Sequence, residues 1–247
     1  MAQGGSVTDI QYASNRSARH GLAPTPHPPW VEAMLAELQT DWDAVLGSRH
    51  FAAVREQKVS DETLRRSFMD FFCIVEAFPR YMGACLARTT FGLRPGDLEA
   101  RNWLIGNIRT EASHAQWYLD WAMASGVTYE EIVTHRPGPE AGALYEYLWS
   151  VSNRGTLAEA FGAVNYAIEG VTGQWSRLVL PAVRHRLDGN PRALRWLEAH
   201  AEYDDAHPRE ALELVKLTAG DDETREKAKF ATRRSLQLFR RALDALG

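Results

Sequence analysis

Ala199–Pro208 reads AHAEYDDAHP and sets His200, Asp204 and His207 at offsets of four and seven residues. On an α-helix each residue turns by about 100°, so those offsets fall about 40° and about 20° to either side of His200. All three side chains then leave one stripe, as a metal site between packed helices requires. Trp196, Leu197 and Tyr203 give the stretch apolar surroundings, whereas Glu202 and Asp205 suit a solvated acidic face that happens to carry two histidines. Pro208 removes one helix hydrogen bond, so either the helix kinks there or a new helical segment begins.

Two other stretches join this one. In NIRTEASHAQW, Glu111 precedes His114 by three residues and shares its helix face. Alone, that spacing equally fits an exposed glutamate beside a half-buried histidine. In Phe161–Trp175, FGAVNYAIEGVTGQW, Glu169 is the only ionised group. A carboxylate in so apolar a helix needs a metal or a hydrogen-bonding partner such as Tyr or Arg. Gly162, Gly170 and Gly173 let neighbouring backbones approach there. Together the three stretches supply Glu111, His114, Glu169, His200, Asp204 and His207. Carboxylates and imidazoles without thiolate suit iron or manganese.

The rest of the chain reads as helix. Pro28 and Pro29 open a segment over 30–46, and Ser60 caps one running from Asp61 to about Thr89. After the LRPGD turn at 93–97 a helix extends to Ser125, closed by Gly126. Thr128 and Glu131, then Thr156 and Glu159, form capping boxes; the second starts a helix to about Arg186. Asn190-Pro191 opens a helix to about Leu217, and Asp221–Leu246 forms the last. The expected architecture is all-α: a single-domain bundle of seven or eight helices over 30–247, preceded by a flexible arm over 1–29.

Composition narrows the function. With 247 residues, 45% of them hydrophobic, the chain can bury a large core. A net charge of -4 and dispersed basic residues exclude a nucleic-acid stripe. No segment has the roughly 20 apolar residues of a membrane span, and the N-terminus lacks a signal-peptide apolar region. Cys73 and Cys85 are the only cysteines. Twelve residues of helix separate them by about 18 Å, too far for a bridge, so a reducing cytoplasm is expected.

NIRTEASHAQWYLDWAMASGVTYEEI, NYAIEGVTGQWSRLV and WLEAHAEYDDAHPREALEL resemble the haem-oxygenase-like diiron oxidases, most of all the branch of bacterial medium-chain fatty-acid decarboxylases that form 1-undecene. The resemblance spans about Trp30 to Leu217. It implies the seven-helix haem-oxygenase-like bundle shared with thiaminase-type and pyrroloquinoline-quinone-synthesis proteins. It also implies Glu111, His114, Glu169, His200, Asp204 and His207 as ligands of two Fe(II) ions, O2 as co-substrate and an external electron donor. Many members of the wider group carry a ligand glutamate seven residues before the first histidine; here Asn107 stands there, and Glu111 takes the place used in the undecene-forming branch. The implied reaction removes hydrogen β to a carboxylate, releasing CO2 and a terminal alkene. Phe71, Phe72, Phe78, Tyr166 and Trp175 are the expected lining of a substrate channel, with ordinary core as their other reading. An acyl chain there contributes about 0.8 kcal/mol per buried CH2. Related bundles often form homodimers.

Other functions fit the same residues. A diiron oxidase of this fold acting on an amino acid or a natural-product intermediate needs a charged group at the cavity, which Arg80 or Arg109 could provide. A metal-free relative, enzyme or binding protein, would rely on Cys73 or Cys85 as nucleophile. A purely structural helical protein would leave Glu169 and the clustered histidines without a role.

Overall fold

The computed structural model describes residues 22–203 and 206–246. They form helices α1 (Pro29–Leu46), α2 (Arg49–Arg55), α3 (Asp61–Leu86), α4 (Asp97–Glu111), α5 (His114–Ala124), α6 (Tyr129–Thr134), α7 (Pro139–Arg154), α8 (Leu157–Ala160), a π-helical segment (Phe161–Glu169), α9 (Gly170–Arg186), α10 (Pro191–Tyr203), α11 (His207–Thr218) and α12 (Asp222–Asp244). The expectation of an all-α domain holds: no strand occurs among the described residues. Taking α4–α5, α8–π–α9 and α10–α11 as bent rods, these and α1, α3, α7 and α12 make seven, with α2 and α6 as short connectors. No helix of the described residues is long and apolar enough to cross a membrane.

Local chemistry sets the ends. Thr128 with Glu131, and Thr156 with Glu159, form complete capping boxes. Ser60 and Asp221 accept hydrogen bonds from the backbone N–H groups of Thr63 and Thr224. Gly126 follows α5 at φ 88°, in the left-handed region where glycine carries no steric penalty. Both cysteines are free thiols.

The π segment is the hub, packed against α8, α9, α11 and α12. Two close approaches depend on glycine. A Cβ at Gly162 would overlap Thr232 on α12, and one at Gly170 would lie 2.5 Å from the Trp42 ring and 3.3 Å from Pro208. The second approach seats the start of α9 against Trp42 of α1, with Pro208 of α11 beside it. Residues 22–28 precede α1 without helix. Within them Thr25 donates its N–H and Oγ1–H to Glu213 at 3.0 and 2.7 Å and accepts from Lys216 Nζ, so this segment is tied to α11.

Three rods expected to be continuous are interrupted. Helix α4 stops at Glu111 and α5 restarts at His114; α8 passes into the π segment; α10 ends at Tyr203 and α11 begins at His207 with Pro208 in its first turn. For Pro208, the start of a new segment is therefore the outcome.

Candidate metal centre

The interruptions coincide with the candidate ligands. Glu111 is the last residue of α4, His114 the first of α5, Glu169 the last of the π segment and His207 the first of α11. Helix termini and π turns release side chains from regular 100° spacing, which is why such irregularities recur at functional sites. His200 lies in the last turn of α10.

The geometry brings five of the six expected side chains together. Glu111, Glu169 and His207 each offer one donor atom within 4.8 Å of the others. His114 Nδ1 lies 2.6 Å from Glu111 Oε2, and the His114 and His200 rings are 4.8 Å apart. Glu111, His114, Glu169 and His200 are buried, and His207 is half-buried. Asp204 falls outside the described residues.

Hydrogen bonds orient this set. Nδ1 of His200 faces the Trp196 carbonyl at 2.7 Å. A carbonyl only accepts, so Nδ1 carries the proton and Nε2 keeps its lone pair. Asn165, one turn before Glu169 in the π segment, donates from Nδ2 to Glu169 Oε1 at 3.1 Å. Nδ1 of His207 is buried and has no hydrogen-bond partner among the described residues.

Charge follows from burial. Desolvation pushes the Glu111 carboxyl up, but the hydrogen bond from His114 and the nearby imidazoles outweigh it and hold its pKa below the usual range. Burial pushes His200 down to about 4, assisted by His114, and lowers His207. Neutral imidazoles beside an ionised carboxylate are the protonation states that bind a cation. Among the described residues no lysine or arginine lines the pocket to supply a counter-charge there. An unpaired buried imidazole nitrogen and oriented N/O donors without thiolate fit an iron centre.

The pocket around these ligands, about 50 Å³, is closed by Ile74, Val75, Phe78, Ile168, Thr172 and Trp196. A second, mainly apolar cavity of about 90 Å³ shares Ile74, Val75, Ile168, Thr172 and Trp196 with it. Of the expected channel residues, Phe71 and Trp175 line the second cavity and Phe78 lines the first. Phe72 and Tyr166 line neither: Phe72 stacks on Tyr118, and Tyr166 packs against Trp42. Arg80 pairs with Glu76 on the surface and Arg109 is exposed, so neither reaches a cavity wall. Sequence reasoning passed over Asn165, although it is the one amide in the apolar run before Glu169 and stands four residues ahead of it.

A family model described as iron-containing redox enzyme matches residues 65–240, which hold every candidate ligand. The chain belongs to that family. Among its relatives, the 4-aminobenzoate synthase of Chlamydia trachomatis is 27% identical over 173 residues, covering 67% of this chain and 71% of the relative. That of Chlamydia muridarum is 25% identical over 194 residues, covering 73% and 78%. A TenA homolog from Pseudomonas syringae pv. tomato superposes with a TM-score of 0.85 at 30% identity, covering 92% of this chain and 98% of that one. A domain of heme oxygenase-like fold from Shewanella denitrificans reaches 0.74 at 21% identity over 87% and 91%, a likeness of fold alone. This iron-containing redox enzyme thus has the haem-oxygenase-like fold expected from its sequence, and its family is an oxidoreductase family. The narrower resemblance to undecene-forming decarboxylases finds no support in these relatives.

Proposed function

We propose that this enzyme is an O2-dependent oxidase that holds two iron ions among Glu111, His114, Glu169, His200, Asp204 and His207 and acts on a small carboxylic acid with an apolar body. The observation that carries the reading is the shared wall between ligand pocket and apolar cavity. Among the described residues neither lining contains lysine or arginine, so a substrate carboxylate would find its positive charge at bound metal, and its body would lie along Ile74, Val75, Ile168 and Trp196. Bound iron would supply the electron transfer to O2 that these side chains cannot perform. The protein's share is orientation and exclusion of water. The Trp196 carbonyl fixes the His200 ring, Asn165 holds the Glu169 carboxylate, and the apolar walls keep the reacting carbon dry.

Two substrate classes follow. Likeness to proteins named 4-aminobenzoate synthase favours an aromatic acid, and the rings of Phe51, Phe68, Phe71, Trp121 and Trp175 suit one. The second class, a medium-chain fatty acid converted to a terminal alkene and CO2, is favoured by the lack of charged side chains in the same lining.

The test loads the protein anaerobically with ferrous iron, then adds O2, a chemical reductant and single acids, with O2 uptake, headspace and product mass measured. Aromatic amino acids and arylpropanoates run beside decanoic to tetradecanoic acids. Acid-dependent O2 uptake with a changed acid supports the proposal, and a volatile alkene selects the second class. Failure to retain iron, or O2 uptake indifferent to every acid, overturns it.

A further inference from the structure

The apolar cavity extends beyond the wall it shares with the ligand pocket, and a polar residue lines that part. His50, in α2, lines the larger cavity but not the ligand pocket. It is 4% exposed, and its imidazole makes no hydrogen bond among the described residues; Nδ1 is sealed from solvent. Its neighbours in the lining, Phe51, Val54 and Phe239 among them, are apolar. A buried imidazole ordinarily finds a partner, because leaving it unpaired is unfavourable. A ligand that brings its own polar atom there would relieve that cost.

The charge state defines which polar atom. Burial pushes His50 down to about 4, so near neutral pH the ring is uncharged, with one N–H donor and one nitrogen acceptor. Such a group pairs with a hydroxyl, carbonyl or neutral amine. It gives no charge compensation to a second carboxylate.

Resting on the function proposed above, we infer that the substrate is bifunctional: a carboxylate for the iron end, an apolar body, and an uncharged hydrogen-bonding group at the far end that pairs with His50. His50 is then a specificity-determining residue. An acid lacking the distal group leaves the imidazole unpaired and is discriminated against, as sites built around a buried polar partner discriminate.

Trp121, Trp175 and Trp196 line the cavity, so intrinsic fluorescence reports its occupancy. The iron-loaded full chain is titrated anaerobically with matched acids: decanoate against ω-hydroxydecanoate, and phenylpropanoate against para-hydroxyphenylpropanoate. In at least one pair the hydroxylated acid is expected to bind about tenfold more tightly, the effect of one added hydrogen bond to a desolvated partner. His50→Leu should abolish the preference while still binding the unsubstituted acid. His50→Gln, which keeps a donor and an acceptor, should retain part of it and serves where His50→Leu fails to fold. Binding of the acids without preference in either pair, or a preference that survives His50→Leu, overturns the inference and leaves the oxidase reading standing. If none of the four acids binds, the carboxylate reading falls and this inference falls with it.

Discussion

His200 and Trp196 are joined twice, through Nδ1 against the Trp196 carbonyl at 2.7 Å and through rings whose centroids lie 3.9 Å apart. The residues are four apart on α10, so one helical turn both selects the tautomer and clamps the ring plane. Nitrogen-15 spectra of the metal-free protein should therefore show His200 protonated at Nδ1 and bare at Nε2 near neutral pH. In water the other tautomer is preferred, so an Nε2–H signal would show that the carbonyl does not set the ring.

Glu169→Ala should remove most bound iron without unfolding the bundle. The π segment that carries it is fixed by Gly162 against α12 and by its packing with α11, neither of which involves the carboxylate. Elemental analysis should show iron well below the wild-type stoichiometry, with the melting midpoint of the metal-free protein within roughly 5 °C of wild type. Asn165→Leu, which deletes the 3.1 Å hydrogen bond to Glu169, should weaken iron binding by about tenfold or more. Full iron retention by Glu169→Ala would contradict its assignment as a ligand.

Much of this was legible in the sequence, and part of it was not. Periodicity marked the long rods, and the residue types and spacing of Thr128, Glu131, Thr156 and Glu159 announced their caps. The spacing of His200 and His207 assumed one unbroken helix, whereas the two lie on α10 and α11, with a turn at Ala206 before the second. Glu111 and His114 likewise straddle a discontinuity. Pro208 offered a local sign of the second break without deciding between a kink and a new segment, whereas nothing in the residues between Glu111 and His114 marks the first. Phe72 and Tyr166 were placed in the channel from apolar character alone. In a chain with so large a core, hydrophobicity cannot say which side of a helix faces a cavity, and both turn to other aromatic neighbours.

Gly170→Ala should be destabilising even though alanine favours helices by about 1 kcal/mol. The added methyl would lie 2.5 Å from the Trp42 ring, and that ring is held by its Nε1–H donating to Gln174 Oε1 at 2.8 Å. Overpacking of about 2–3 kcal/mol outweighs the propensity gain and leaves a net loss of roughly 1–2 kcal/mol. Because the displaced neighbours include Pro208, next to His207, iron affinity should fall as well. Gly142→Ala is the control: nothing lies within 4 Å of that Cβ on α7, so it should stabilise the fold by up to about 1 kcal/mol. A Gly170→Ala protein as stable as wild type would show that the approach of α9 to Trp42 on α1 is not tight.

Acid should expose the cost of burying His50. Its pKa falls from 6.5 to about 4 on folding because burial disfavours the charged ring. Between those values the unfolded chain binds the proton and the folded one does not, so stability is full above about pH 7 and declines as pH falls from 6.5 towards 4. At about pH 5 the loss attributable to this one group is on the order of 2 kcal/mol. His200, also lowered to about 4, adds a loss of the same sign in the metal-free protein. The His50 share is the difference between wild type and His50→Leu in urea midpoints measured at about pH 7.5 and about pH 5. The variant should lose distinctly less stability over that interval. Equal losses in the two proteins would mean that folding does not lower the His50 pKa and that the ring is not held in an apolar, unpaired setting.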